Sequence, residues 1–330
     1  MSIADDLINE LKFLPCFTQI NSIDLLAHGL SQTAIKVTTT SQVFFAKKLN
    51  QHTANSEIAC ALLCSNLASK NHSEQGNTKQ LSPQVVYHDQ HWLVTHFIHG
   101  LTLADTNLSN NKKIAIALNL MAHLHSSPPT LANYPIPQLN PSLTVNNLLP
   151  ALPPWLLAHS NTLSKIGKSL SNAICSLIAD TQRVNVVCHG DLNFTNVLQD
   201  NDNTAWLIDF ECAQLAPPEF DLAMFIAVNN IATQDITHRI AEYSALMPTS
   251  RLNKSLLHYY LLFSLLINGL WYLSTMKPID ITKMENTEAE NTEAENKMYG
   301  LAIEQWSTFD RFSLQYMNTL PKLLTLINKR

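Results

Sequence analysis

The hydrophobic pattern changes character twice along the chain. From Gly29 to Leu49, GLSQTAIKVTTTSQVFFAKKL alternates apolar and β-branched residues on either side of polar TTTSQ, which predicts two strands and a turn. Asn55 to Ser69 then places Ile58, Leu62, Leu63 and Leu67 at helical spacing, and polar KNHSEQGNTKQ ends it. PQVVYHDQHWLVTHFI predicts a second hairpin turning near Asp89 and Gln90. From Asn111 the period becomes helical, first in KKIAIALNLMAHLHS, and one β-rich island interrupts it, VNVVCHGDLNFTNVLQDNDNTAWLIDF. The pattern therefore divides the chain into a small β-rich lobe, residues 1–98, and a larger, mainly helical lobe, residues 99–330, joined near Gly100. That is an α+β organisation.

Two kinds of segment interrupt the periodicity. Pro-rich HSSPPTLANYPIPQLNPS and LLPALPPW predict extended surface connections, because fixed φ angles discourage regular helix. The acidic repeat ENTEAENTEAEN, residues 285–296, has no apolar anchor and is expected to be a solvated, low-complexity loop. The longest apolar run, Ser255 to Met276, carries no Asp, Glu, Lys or Arg and is long enough to cross a bilayer. His258, Ser264, Asn268 and Gly269 interrupt it, so it is expected to be a helix buried in protein, not a membrane span.

Composition narrows the class. With 46% hydrophobic and 14% charged residues over 330 positions, the chain is globular. A net charge of -5 and 21 basic residues without a long run offer no footprint for nucleic acid. The six cysteines form no CxxC pair, and the acidic N-terminus lacks the form of a secretory signal, so a cytoplasmic setting is expected.

The chemistry concentrates in VVCHGDLNFTNVL and AWLIDFE, where Asp191, Asn196 and Asp209 each lie at the end of a short apolar strand or in the loop beside it. Phosphoryl transfer needs such a set. A carboxylate, Asp191, orients the attacking hydroxyl and takes its proton, and oxygen ligands, Asn196 and Asp209, hold magnesium against the phosphates. Isolated Asp and Asn residues more often cap turns and helices.

These residues resemble the choline kinase, thiamine kinase and aminoglycoside phosphotransferase superfamily. His189, Asp191 and Asn196 match its HxDxxxxN loop, and Ile208, Asp209 and Phe210 match its metal-binding strand. The resemblance implies a two-lobed protein-kinase-like fold, ATP and Mg2+ as cofactors, and a small-molecule alcohol as acceptor. It also implies a strand lysine for the phosphates, Lys47 with adjacent Lys48 as the alternative, and a helical partner, Glu57. A phosphate-covering turn would contain Gly29, and the adenine would lie near Thr95 to Ile98. His189 is expected to organise the loop and Asp221 to anchor the second lobe.

For the acceptor, LLINGLWYLSTM resembles the helix that carries the aromatic box of choline kinases, with Trp271 in register and Asn268 where another tryptophan is common. Trp271, Tyr272 and Trp306 are candidates to cage a cation such as choline or thiamine, with Glu211 supplying charge. The competing expectation places each aromatic in the core. An aminoglycoside-type phosphotransferase and a nucleotide-binding pseudokinase without turnover are the alternative functions.

Overall fold

The computed structural model describes residues 3–26, 33–66, 80–129, 134–181, 183–276 and 288–327, with side chains from residue 7 and, in the last segment, from residue 295. The chain forms two compact units: residues 1–137 with 186–215, and residues 138–185 with 216–330. The lobe boundary expected at 98/99 thus falls inside the first unit, and the VVCHGDLNFTNVL segment belongs to that unit as well.

The first unit opens with helix α1 (Ile3–Lys12) and strands β1 (Ile20–Leu26), β2 (Ala34–Thr39) and β3 (Val43–Lys48). Helix α2 (Ala54–Asn66), strands β4 (Val85–His88), β5 (Trp92–His96) and β6 (Gly100–Thr102), and helix α3 (Asn110–His125) follow. The β-rich island supplies β7 (Val186–Cys188), β8 (Val197–Asp200), β9 (Ala205–Leu207) and β10 (Gln214–Ala216). β1 to β5 form an antiparallel sheet in the order β1-β2-β3-β5-β4. β6, β8 and β9 form a second antiparallel sheet.

Period 2 sorts the large sheet into two faces. Ile35, Val37, Phe44, Ala46, Trp92 and Val94 bury one face beneath Leu11 of α1 and Leu14 and Phe17 just after it. Phe17 meets Phe44 edge-on at 5.5 Å between ring centroids. The expected elements include neither α1 nor β1, although Ile3, Leu7 and Leu11 recur at helical spacing. The opposite face of β3 carries Phe45 and Lys47.

The second unit is helical: α4 (Pro141–Leu148), α5 (Pro154–Leu157), α6 (Ser160–Thr181), α7 (Pro218–Val228), α8 (Ile236–Leu246), α9 (Lys254–Ser274), α10 (Glu288–Tyr316) and α11 (Leu324–Ile327). The Pro-rich segments are thus not simply extended. Pro141 begins α4 behind an Asn140 cap that accepts from Leu143 N, and Pro154 begins α5, because the first turn of a helix needs no N–H from proline. α9 is apolar enough to cross a membrane, yet it packs against α4, α6, α7 and α10 and buries residues on all sides, which makes it the core helix of this unit.

The acidic repeat also departs from the sequence expectation. Residues 288–296 are the first turns of α10, not a loop. Alternating Ala and Glu are strong helix formers, and they extend a helix whose later turns are anchored by buried Ala302, Trp306 and Phe309. Residues 285–287 lie outside the described residues.

Candidate active site

Lys47 is the structural centre of the site. It ends the apolar run of β3 and is only 6% exposed. Its Nζ donates to Glu57 Oε1, in the first turn of α2, and to Asp209 Oδ1 at 2.5 Å. Burial alone works to lower the pKa of Lys47, but the Glu57 and Asp209 carboxylates outweigh it and hold the ammonium above its ordinary value. Burial pushes Glu57 upward against the pull of Lys47, and the charge of Asp209 adds to the rise. Lys48 points to the other face, where it pairs with Glu10 of α1 and lies over the Trp92 ring at 4.8 Å. Of the two lysines, Lys47 makes the buried ion pairs.

Asp209 follows β9 with φ of 66°, in the left-handed region that Asp tolerates better than most residues. Its position is fixed by the preceding residue, because Ile208 N donates to Asn196 O at 3.1 Å. Buried His189 donates from Nε2 to Ile208 O at 3.0 Å and tilts against the Phe210 ring. A carbonyl only accepts, so Nε2 carries the proton, and His189 braces the Asp209 segment as an organising hydrogen-bonder.

Asp191 is half-buried in the loop between β7 and β8. Asn196 Nδ2 donates to its main-chain oxygen at 2.8 Å and to Oδ2 at 3.1 Å. Asn193 Nδ2 lies 3.2 Å from each carboxylate oxygen. Burial pushes the Asp191 pKa up to about 7; the Asn193 bond opposes the rise, and the charges of Asp209 and Glu211 add to it. The loop reaches this shape through Gly190, at φ of 79°, where an added Cβ would fall 2.2 Å from Cys212 O.

The donor set suits magnesium. Both partners of Asn196 Nδ2 are acceptors, which directs the amide nitrogen to them and its carbonyl oxygen elsewhere. That oxygen and the Asp209 carboxylate, which is 31% exposed, are hard oxygens of the kind Mg2+ takes.

The remaining candidates distribute unevenly. Thr95 is buried on β5 opposite Phe45, and Ile98 follows that strand at intermediate burial. Gly29 lies outside the described residues. Glu211 shares the electrostatic surroundings of Asp191 and Glu57. Trp271 is 36% exposed and meets Tyr272 edge-on at 5.4 Å. Trp306 is corrected from cage to core: it is fully buried, its indole N–H donates to Leu266 O at 3.3 Å, and an added Cβ at Gly269 would fall 2.0 Å from its Nε1. Gly190 and Asn193 were not among the sequence candidates, although Asn-x-Thr at residues 193–195 is a capping pattern.

A lysine held between a helical carboxylate and a second carboxylate, beside an amide-bound aspartate, defines a phosphotransferase of protein-kinase-like fold. Comparison with known proteins agrees. Residues 22–249 match the phosphotransferase enzyme family, and the chain belongs to it. Among solved structures, it is similar to the choline kinase LicA from Streptococcus pneumoniae, with 16% identity over 93% of this chain and 100% of that one and a TM-score of 0.62. It is also similar to choline kinase from Cryptosporidium parvum, with 14% identity over 96% and 99% and a TM-score of 0.60. A spectinomycin phosphotransferase solved with ADP and spectinomycin is similar too, at 16% identity over 91% and 98% and a TM-score of 0.55. A search of curated protein sequences finds no match.

Proposed function

We propose that the protein transfers the γ-phosphate of ATP to a hydroxyl of a small metabolite of the choline, ethanolamine or thiamine type, in a magnesium-dependent reaction. The observation that carries this reading is the buried Lys47–Glu57 pair joined to Asp209, with Asp191 and Asn196 bonded in the adjacent loop. In this reading Lys47 neutralises phosphate charge and Glu57 holds its ammonium in place. Asn196 and Asp209 would hold Mg2+, which would supply neutralisation of phosphate charge. Asp191 aligns the acceptor hydroxyl and takes its proton as the oxygen attacks in line. The base lies along Thr95 to Ile98; Gly29, expected to contribute to phosphate binding, lies outside the described residues. Trp271 and Tyr272, with Glu211 for charge, are the proposed contacts for a cationic acceptor, which the part-exposed Trp271 ring face would attract.

The test is magnesium-dependent ADP release from purified protein over choline, ethanolamine, thiamine, methylthioribose and kanamycin, with Asp191→Ala alongside. Stimulation by one of the first three, lost in the variant, supports the reading. Stimulation by kanamycin alone moves the acceptor to the aminoglycosides, and nucleotide binding without release moves the protein to the pseudokinases.

A further inference from the structure

We propose that Asn193 is a positioning residue for the transfer reaction: its side-chain amide clamps both carboxylate oxygens of Asp191 and fixes which one faces the acceptor hydroxyl. This inference rests on the role of Asp191 proposed above. Asn193 Nδ2 lies 3.2 Å from Oδ1 and 3.2 Å from Oδ2 of Asp191, and Asn193 N donates to Asp191 O at 2.9 Å. The other end of the amide is committed as well. Asn193 Oδ1 accepts from Thr195 N at 2.8 Å and from the Thr195 hydroxyl, capping the 3-10 turn Phe194–Asn196. A backbone N–H can only donate, so the amide cannot flip, and Nδ2 must face Asp191.

The clamp makes the two carboxylate oxygens unequal. Among the described residues, Oδ2 accepts from both Asn193 and Asn196, whereas Oδ1 accepts from Asn193 alone. Each carboxylate oxygen offers about two lone-pair sites, so Oδ1 keeps one for the acceptor. During transfer the acceptor O–H bond breaks and its proton passes to Oδ1. The freed electron pair forms the new bond to phosphorus, and the old P–O bond breaks with its pair leaving on ADP. Without the clamp the Asn196 bond to Oδ2 remains, the carboxylate can pivot about it so that Oδ1 shifts, and a misplacement of about 1 Å is enough to cost on the order of 100-fold in rate.

Capping and clamping are separable by substitution. Asn193→Asp preserves the size and the cap acceptor but exchanges the donor for a carboxylate oxygen, and Asn193→Ser keeps a capping hydroxyl without the reach. Both are measured by ADP release under the panel acceptor that stimulates the wild type, with MgATP varied. The expected result is a kcat lower by about 30-fold or more in both, with KM for MgATP within about threefold and a melting temperature close to wild type. Asn193→His, which restores one donor, is expected to recover part of kcat. Wild-type kcat in both Asn193→Asp and Asn193→Ser overturns the clamp while leaving the kinase reading intact. Absence of release from the wild type with every acceptor overturns both.

Discussion

Lys47 Nζ and Asp209 Oδ1 lie 2.5 Å apart although 162 residues separate them in sequence. The contact joins the sheet of β1 to β5 to the loop after β9, and the same ammonium also meets Glu57. One cation therefore balances two carboxylates. Replacing Lys47 by Met leaves Glu57, 1% exposed, without its counter-charge, and breaking such a pair costs about 3–5 kcal/mol. The expected outcome is a clear fall in melting temperature and a loss of ADP release of about 100-fold or more. Lys47→Met combined with Glu57→Gln is expected to regain stability without regaining activity. Lys48→Met, which loses a surface pair with Glu10 and the contact of its ammonium with the Trp92 ring, both away from the buried pairs of Lys47, is expected to stay within about threefold of wild type in rate.

The central part of this site is legible in the sequence because its residues fall at strand ends and in the loops beside them. Asp191, Asn196 and Asp209 need only a short apolar strand before each loop, and local alternation encodes those strands. The choice between Lys47 and Lys48 is not encoded locally. It depends on which sheet face α1 covers, and the packing of Leu11, Leu14 and Phe17 that settles it is tertiary. The same holds for Trp306, whose fate depends on the space left by Gly269 on another helix. The acidic repeat misleads for a different reason: polarity argued for a loop, while Ala and Glu propensity, continuing a helix anchored further on, carried residues 288–296 into α10.

The pH response follows from Asp191. Its folded pKa, about 7, lies above the ordinary carboxylate value of 3.8, so the folded state holds this proton more tightly than the unfolded chain. Asp191 thus favours the folded state most below about pH 4, and that contribution is lost as pH rises through about 7. In the role proposed for Asp191 activity runs the other way, because it is the ionised form that would take the substrate proton. The expected profile of kcat/KM rises with pH and levels off above about 7, while Asp191→Asn raises the melting temperature at pH 8 and not at pH 4. Thermal melts at the two values check the sign, and an Asp191→Asn variant less stable than wild type at pH 8 contradicts it.

Gly190 is expected to be intolerant of even one carbon. An L-residue at φ of 79° is strained by about 1–2 kcal/mol, and a Cβ there would meet Cys212 O at 2.2 Å, a main-chain atom that cannot swing aside. Gly190→Ala is expected to lower stability by more than the strain alone and to displace Asp191 in the next position. Chemical denaturation and ADP release, measured together, should both fall.

The aromatic residues of the second unit separate cleanly into core and candidate contact. Trp306 is fully buried with its indole N–H bonded to Leu266 O, so Trp306→Ala opens a cavity that typically costs about 3–5 kcal/mol. Trp306→Phe fills part of that space and loses the hydrogen bond, and it is expected to lower the melting temperature while leaving KM for the acceptor near wild type. Trp271 has the opposite profile: its ring is 36% exposed, so truncation forfeits little burial. Trp271→Ala is expected to keep the melting temperature within a few degrees and to raise KM for a cationic acceptor by about fivefold to thirtyfold, the range that a cation–π contact of about 1–2 kcal/mol supplies. An unchanged KM in Trp271→Ala, measured with the acceptor that stimulates ADP release, would remove this aromatic pair from the acceptor site and leave Glu211 as the remaining candidate contact.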